Sequence, residues 1–240
     1  MTEVCPTVDR FDRIYYFRLV SQNLNAESSP ENGEPSRRER KAVERRFAIL
    51  RAAAGVFRDR GYEGASMDEI AERLDMAKGN LYYYFKNKQE LLYFCQHHSL
   101  DRLVDNAETI LATSEPEDEK LRRVVVGHVV CVLDELDGAS AHTEVHILPD
   151  ELRAKIIAKR DRYESILRSL VQAGIASGVF VATDAKMATL ALLGALNGAT
   201  RWYRPEGSLA PAGIGEAFAD LFLDGLRGET ARPKHIRRVK

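Results

Sequence analysis

The sequence predicts an all-α protein of about nine helices, and three observations lead to this prediction. Apolar residues recur at spacings of three and four after residue 40, the period of a helix with one buried face. No segment alternates apolar and polar residues over the length of a strand. Breaker residues fall between the periodic segments, where helices stop and start. The predicted helices lie near residues 41–60, 66–74, 77–84, 88–112, 117–137, 139–147, 149–177, 184–204 and 211–227.

Local signals place the four helices of the first half. Gly61 follows the first helix and ends it. Ser66 with Glu69 three residues later forms a capping box that begins the second, and Asn87 with Glu90 begins the fourth in the same way. The apolar faces comprise Phe47, Leu50, Ala54 and Phe57 in the first helix and Ile70, Ala71, Leu74, Leu81 and Phe85 in the next two.

Proline, glycine and a threonine–aspartate pair place the helices of the second half. Pro149 and Pro211 each open a helix, since proline is tolerated in a first turn. Gly178 closes the helix that begins near 149, and the next one starts where Thr183 precedes Asp184. The apolar positions of the 149–177 helix include Ile156, Tyr163, Ile166, Leu167 and Leu170.

Charge is distributed unevenly along a chain whose total is only −1. Residues 37–98 carry 13 basic and 9 acidic side chains, residues 99–226 carry 13 and 20, and residues 227–240 carry 6 and 1. Residues 1–36 have a net charge of −3 and many breakers. We therefore predict a disordered extension over 1–40, a basic domain over 41–95, an acidic domain over 96–227 and a basic tail over 228–240. A short docking helix near the start of the extension is the alternative there.

Several classes of protein are excluded by what the sequence lacks. No apolar run approaches the roughly 18 residues of a membrane span, and no signal peptide is recognisable. Cys5, Cys95 and Cys131 are too scattered for a disulfide framework, so we expect a cytoplasmic protein with reduced thiols. No nucleophile triad, phosphate loop or paired carboxylates stand out, and we expect no enzyme, no cofactor and no metal.

The short helices at 66–74 and 77–84 have the chemistry of a helix-turn-helix, whose second helix enters the major groove of DNA. Lys78 and Lys88 bracket the second helix as phosphate partners, and Gly79 allows close backbone approach. Asn80 has the paired donor and acceptor that read a base edge, and tyrosine hydroxyls reach phosphates. A packed helical hairpin without DNA is the alternative that these residues leave open.

Residues 43–95 resemble, without a gap, the N-terminal domain of the tetracycline-repressor (TetR) family of bacterial regulators. The resemblance lies in Ile49–Phe57, Arg60–Tyr62, Ser66–Ala71, Lys78–Phe85 and Lys88–Leu92. It implies DNA-contact positions at Ser66, Met67, Lys78, Gly79, Asn80, Tyr82, Tyr83, Tyr84 and Lys88. Ala77 departs from the pattern, because many members have a capping Ser or Thr there, so about 1 kcal/mol of cap stabilisation is missing unless Asp75 or a backbone group replaces it.

The same resemblance implies that the second domain binds an effector and forms a homodimer. Helix 184–204 has small residues along one stripe, and Gly194 and Gly198 permit close helix approach. Two such helices from each subunit suit a four-helix, isologous interface, although the stripes are also compatible with internal core. The stripes consist of Ala188, Ala191, Leu192, Ala195, Leu196 and Ala199 in the first helix, and Ile214, Phe218, Leu221, Phe222 and Leu226 in the helix at 211–227.

The C-terminal half is similar to that of TetR-type regulators of fatty-acid, steroid and aromatic-acid catabolism, which implies an acyl-CoA effector. Arg201 and Arg204 are suited to phosphates and Trp202 to an adenine ring, although this segment is also suited to ending a helix at the subunit boundary. His142 and His146 lie four residues apart, but no third metal ligand is identifiable, so pocket lining or ordinary packing is favoured. The effector residues we predict are His128, Cys131, His146, Asn197, Arg201, Trp202 and Arg204.

Together these inferences predict a homodimeric repressor that binds double-stranded DNA at a palindromic operator and is released by a small hydrophobic or acyl-CoA effector. A drug-responsive efflux repressor of the same family is the nearest alternative. A helical acyl-CoA-binding enzyme is the alternative from a different class.

Overall fold

The computed structural model describes residues 37–133 and 145–228, and in these residues it is all-helical, as predicted. The α-helices are α1 (Arg37–Gly64), α2 (Met67–Arg73), α3 (Lys78–Tyr84), α4 (Lys88–Leu111), α5 (Glu117–Leu133), α6 (Asp150–Ala176), α7 (Ala185–Gly198) and α8 (Pro211–Arg227). Single 3-10 turns cover Val145–Ile147 and Ala199–Arg201. Within the described residues, every helix is too short or too polar to cross a lipid bilayer.

Three predicted helices differ from those observed. The helix predicted at 184–204 stops at Gly198, and its last turn tightens into the 3-10 turn that ends at Arg201. The helix predicted at 139–147 lies outside the described residues except for its end, where one 3-10 turn stands. The first helix begins at Arg37, inside the stretch that we assigned to the extension. Gly61 interrupts it with a φ of 68°, the left-handed conformation that glycine adopts without steric cost.

The chain divides into two compact units. The first comprises residues 37–102 and 145–156 of the described chain. Its core draws on each of the first four helices, and Leu81 and Phe85 are buried together as their spacing predicted. The fully buried large residues of this unit are Ile49, Phe57, Ile70, Leu81, Leu91, Leu92 and Ile156.

The second unit comprises residues 103–133 and 157–228 of the described chain. Its helices α5 and α8 pack closely, because a Cβ added at Gly215 would lie 2.8 Å from the Cα of Val126. On the surface of this helix pair, Arg122 contacts Glu216 at 2.8 Å and Asp220 at 2.7 Å. The fully buried large residues here are Leu121, Leu167, Leu192, Leu196 and Leu223.

Candidate nucleic-acid interface

Helix α2 starts with the predicted cap. Ser66 has an extended backbone, and its hydroxyl oxygen accepts a hydrogen bond from the Glu69 amide at 3.1 Å. Ser66 is also exposed, and accepting that bond leaves its own O–H able to donate outward. The cap thus begins the helix and keeps a hydroxyl donor at its N-terminal end.

The turn between α2 and α3 is held by backbone hydrogen bonds. Met76 donates to the carbonyl of Ala71 at 3.0 Å, and Asp75 donates to that of Glu72 at 3.0 Å. This pair of bonds is a Schellman motif, and it places Asp75 in the left-handed region with a φ of 48°. The tight turn sets the direction in which α3 leaves α2.

Helix α3 lacks a side-chain cap, as its sequence predicted. Ala77 occupies the N-cap position and offers no side-chain hydrogen bond to the first turn. Its carbonyl accepts from the Asn80 amide at 2.9 Å, which starts the helical hydrogen bonding. The helix is instead held by packing, since Leu81 is fully buried and the Phe85 ring lies 5.5 Å from that of Phe94.

The opposite face of α3 carries exposed polar side chains. Lys78 and Asn80 are exposed, and Tyr82 and Tyr83 have 42% and 84% of their surface accessible. A Cβ added at Gly79 would meet no atom within 4 Å, so the backbone there faces open space. A row of donors, acceptors and rings on a helix with a buried back is the arrangement that enters a major groove.

Lys78 contacts Asp68, and its ammonium also lies over the Tyr82 ring, 6.0 Å from the ring centre. Its ammonium lies 2.6 Å from a carboxylate oxygen of Asp68, and this hydrogen bond raises the pKa of the lysine. The contact is exposed on both sides, so water and salt screen it strongly. A phosphate group can therefore compete with Asp68 for this lysine.

Two of the predicted DNA-contact residues have side chains that the domain itself engages. Met67 is 7% exposed and belongs to the core, so most of its side chain is covered by the protein. The Lys88 ammonium donates to the carbonyls of Tyr62 at 2.6 Å and Ala65 at 2.9 Å. It also lies 4.2 Å from the centre of the Tyr62 ring. This partner set favours a structural role for Lys88, because its donors satisfy carbonyls at the end of α1.

Tyr84 of α3 and four basic residues at the start of α1 are further polar groups of the first unit. Tyr84 is half-buried, with its ring 5.3 Å from that of Tyr83. Arg37, Arg38, Arg40 and Lys41 are exposed on the first turns of α1. Residues 37–40 fall within the predicted extension. Their three arginines are the signal that could have placed them with the basic domain instead.

The predicted effector residues are not brought together as one group. Within the second unit, His128 and Cys131 on α5 are buried, and the His128 Nδ1 lies 3.0 Å from the Tyr163 hydroxyl on α6. Burial lowers the pKa of His128 to about 4, and the nearby Asn197 opposes that shift. Periodicity marked Tyr163 as a core residue but gave no sign of its polar partner.

The other predicted effector residues lie at the surface. His146 is exposed on the 3-10 turn of the first unit. Arg201, Trp202 and Arg204 are exposed in the second unit, where the Trp202 ring lies 6.4 Å from that of Phe218. No group of three or more metal-ligating side chains occurs among the described residues, and His142 lies outside them.

A cavity of about 350 Å³ lies in the first unit, and no predicted effector residue is among its lining residues. Tyr93 and Phe94 of α4 line it opposite Leu152 and Lys155 of α6. Gln89, another lining residue, donates to the carbonyl of Ile147 at 3.0 Å and ties the two segments together. Lys86 and Asn87 of the α3–α4 turn also line the cavity, and none of its lining residues was predicted to contact DNA or effector.

Comparisons with known proteins agree with this architecture. Residues 49–93 match the family described as "Bacterial regulatory proteins, tetR family", and residues 114–226 match "Tetracyclin repressor-like, C-terminal domain". The transcriptional repressor KstR2 of Rhodococcus jostii is 26% identical over 191 residues, which is 76% of this chain and 91% of that protein.

Two solved structures are similar as well. The TetR family regulator PfmR of Thermus thermophilus is 34% identical with a TM-score of 0.68, and the match covers 73% of this chain and 96% of that one. The regulator AibR, solved with isovaleryl coenzyme A and operator DNA, is 27% identical with a TM-score of 0.63. That match covers 75% of this chain and 97% of AibR.

Proposed function

Because this chain belongs to the TetR family of bacterial regulatory proteins, we propose that it is a transcriptional repressor that an acyl-CoA thioester releases from a palindromic operator. The exposed polar face of α3 is the observation that carries the DNA-binding part. Lys78, Asn80, Tyr82 and Tyr83 project from a helix whose other side is fixed by Leu81 and Phe85. Residues 41–95 form the DNA-binding domain in this proposal, and residues 96–227 form the effector and dimerisation domain.

In this proposal, α3 reads the major groove. Asn80 suits the paired donor and acceptor of an adenine edge, and Gly79 lets the backbone lie close to the groove. Ser66, Lys78 and the tyrosine hydroxyls supply phosphate contacts, and the exposed arginines of α1 add positive charge to the domain. We leave the Met67 side chain and the Lys88 ammonium out of this contact set, because both have partners inside the protein.

The homodimer is supported by apolar side chains that the second unit leaves at its surface. Met187 and Leu190 on α7 are 60% and 41% exposed, and Leu221 on α8 is 68% exposed. Added Cβ atoms at Gly194 and Gly213 would meet nothing, so a partner helix has room to approach. The dimer matters because two recognition helices must occupy grooves about 34–36 Å apart.

The effector class is supported by the relatives. AibR was solved with isovaleryl coenzyme A and operator DNA together, and KstR2 is a repressor of similar length. An effector releases DNA only if it binds the released arrangement more tightly than the DNA-bound one. The effector must therefore reach groups whose positions differ between the two arrangements.

Electrophoretic mobility shift on the DNA upstream of the chain's own gene tests the first part. We expect the protein to shift this DNA fragment. Unlabelled DNA of the same sequence should compete for the protein, and binding should weaken steeply as the salt concentration rises. A chain that shifts no DNA, or shifts all sequences equally, is not a specific repressor. The variant Asn80→Ala should relax specificity at one operator position by about 1–3 kcal/mol, which is the discrimination given by a good bidentate contact.

Operator release tests the second part. Acyl-CoA thioesters of several chain lengths are added to the protein–DNA complex beside free CoA, the matching free acids and cationic drugs. Release by thioesters at concentrations where acids and drugs do nothing supports the proposal. Release by the drugs alone makes the chain a drug-responsive repressor instead.

A further inference from the structure

A buried polar pair lies in the second unit among aliphatic residues. His128 on α5 is 1% exposed and Tyr163 on α6 is 4% exposed, and the Nδ1 to Oη distance is 3.0 Å. The buried positions near them on the same helices are almost all apolar: Val124, Val125, Val129 and Val132 on α5, and Leu167, Leu170 and Val171 on α6. A polar pair in such surroundings requires that its donors and acceptors be accounted for.

Counting hydrogen-bond partners fixes the tautomer of His128. A neutral imidazole has one N–H donor and one acceptor nitrogen, and a phenol has an O–H that needs an acceptor. If the Tyr163 hydroxyl donates to Nδ1, the imidazole proton sits on Nε2 and only that donor lacks a partner. If Nδ1 donated instead, both the phenol proton and the Nε2 lone pair would be left over. The first arrangement leaves fewer groups unsatisfied.

The remaining donor has no hydrogen-bond partner of good geometry among the described residues. The Nε2 atom is buried there. The side chain of Asn197 on α7 is close enough for a weak hydrogen bond to the ring, which raises the pKa of His128 against the effect of burial. Asn197 is itself exposed, so its side chain can move aside for a stronger acceptor group.

We infer that the Nε2–H of His128 donates a hydrogen bond to the carbonyl oxygen of a bound acyl thioester, and that Tyr163 is the positioning residue that keeps the proton on Nε2. This inference rests on the proposed function and names the group that would recognise the effector. The aliphatic side chains around the pair suit the acyl chain.

The same chemistry selects against a free acid. His128 is neutral near pH 7, because burial lowers its pKa to about 4. A neutral donor satisfies a neutral thioester carbonyl, whereas a buried carboxylate needs a charged partner. A free fatty acid therefore pays a desolvation cost that the thioester avoids.

The test compares ligands that differ only in the carbonyl. Octanoyl-CoA and isovaleryl-CoA are paired with the S-alkyl thioethers of CoA that have the same chains, and binding to the full-length protein is measured by calorimetry. We expect each thioester to bind about tenfold more tightly than its thioether, the equivalent of ~1.4 kcal/mol.

Two variants decide whether His128 causes the difference. The double variant His128→Phe/Tyr163→Phe removes both polar groups together and leaves no orphan, so the fold should survive. Its ratio of thioether to thioester dissociation constants should fall to about one. The single variant Tyr163→Phe should lower the ratio less, because the donor remains but its tautomer is no longer fixed.

The ¹⁵N resonances of the His128 ring report directly which nitrogen carries the proton, and a structural role alone does not require the proton on Nε2. Long-range ¹H–¹⁵N correlation of the free protein, with His128 assigned by loss of its signals in His128→Phe, should show the Nε2–H form. The Nδ1–H form would overturn the inference.

The binding outcomes also separate this inference from the proposed function. Suppose that thioesters bind and release the operator. If they then bind no more tightly than thioethers, or if the preference persists in the double variant, the role of His128 is refuted while the proposed function stands. Thioesters that neither bind nor release the operator refute the effector class as well, while operator binding itself still stands or falls by the mobility shift.

Discussion

Lys88 lies at the start of α4, beside the recognition helix, and its charge suits a phosphate contact. In the structure, its ammonium ties the start of α4 to the carbonyls of Tyr62 and Ala65, where α1 ends. Lys78 is the opposite case, because its ion pair with Asp68 is exposed on both sides and leaves the ammonium available.

The salt dependence of operator binding distinguishes these two lysines. Each phosphate contact contributes about 0.9 to the slope of log K against log salt. Lys78→Met should therefore reduce the slope by about 2 in a dimer and leave thermal stability nearly unchanged. Lys88→Met should keep the slope and lower the free energy of unfolding by about 1–3 kcal/mol, because carbonyls lose their partner. A reduced slope in Lys88→Met with unchanged stability would restore it as a phosphate contact.

The position and length of each helix depend on how its ends are capped and on which face it buries. Helix α2 has the Ser66 cap, and α4 has a variant of the predicted capping box. There Asn87 accepts from the Glu90 amide at 2.8 Å, and the Glu90 carboxylate accepts from the Lys86 amide at 2.6 Å, one residue earlier than the usual pattern. Helix α3 has no such cap, so its position depends on the packing of Leu81 and Phe85.

Adding and removing a cap should have opposite effects on stability. Ala77→Ser supplies an oxygen to the free amides of α3 and should raise the free energy of unfolding by about 1 kcal/mol. In a chain of this size that raises Tm by about 2–4 °C. Ser66→Ala removes the existing cap and should lower stability by a similar amount. Calorimetric scans without DNA measure both, and equal Tm values for the wild type and Ala77→Ser would mean that the first turn of α3 is already satisfied.

Helices α7 and α8 divide the predicted interface stripes between core and surface. Leu192, Leu196 and Ala199 of the α7 stripe are buried within the unit, as are Ile214 and Leu226 of the α8 stripe. Of the predicted stripes, Leu221 is the large apolar side chain that stands mostly exposed. The exposed stripe of α8 consists of Gly213, Ala217, Leu221 and Gly225, which follow one another at a spacing of four. It is displaced by about one residue from the stripe that periodicity suggested.

At the scale of the whole molecule, the proposed dimer uses the exposed apolar residues of α7 and α8. Leu221→Arg places a charge in the centre of the proposed interface, so it should convert a dimer to a monomer in light scattering and weaken operator binding at least tenfold. Ile157→Arg is the matched control, because Ile157 is 45% exposed on α6 and lies outside both stripes. A Leu221→Arg protein that remains dimeric would show that subunits meet elsewhere.

Buried histidines make the stability of the chain depend on pH. Burial lowers the pKa of His98 to about 3 and that of His128 to about 4, whereas both titrate near 6.5 when unfolded. As pH falls below 6.5, the unfolded chain takes up protons that the folded one refuses, so stability falls by about 1.4 kcal/mol per pH unit for each histidine.

Urea unfolding at pH 6.5, 5.5 and 4.5 measures this slope. The variant His128→Phe should lose stability less steeply than the wild type over that range, by about 1.4 kcal/mol per pH unit. The carboxylates contribute equally to both proteins and cancel in the comparison. Identical slopes would mean that His128 is accessible to protons in the folded state.

The sequence by itself determined the helical class, the caps at Ser66 and Asn87, the missing cap at Ala77 and the family, because each depends on residues within a few positions of one another. The tertiary structure decided which side chains are buried and which distant residues they contact, because local sequence patterns do not specify either. It buried Met67, gave Lys88 its carbonyl partners, and paired His128 with Tyr163, 35 positions away. Helical spacing shows that a helix has an apolar face, but which residues of that face are covered depends on the elements that pack against it. That is why the recognition helix could be read from the sequence, while the buried pair and the surface stripe of α8 could not.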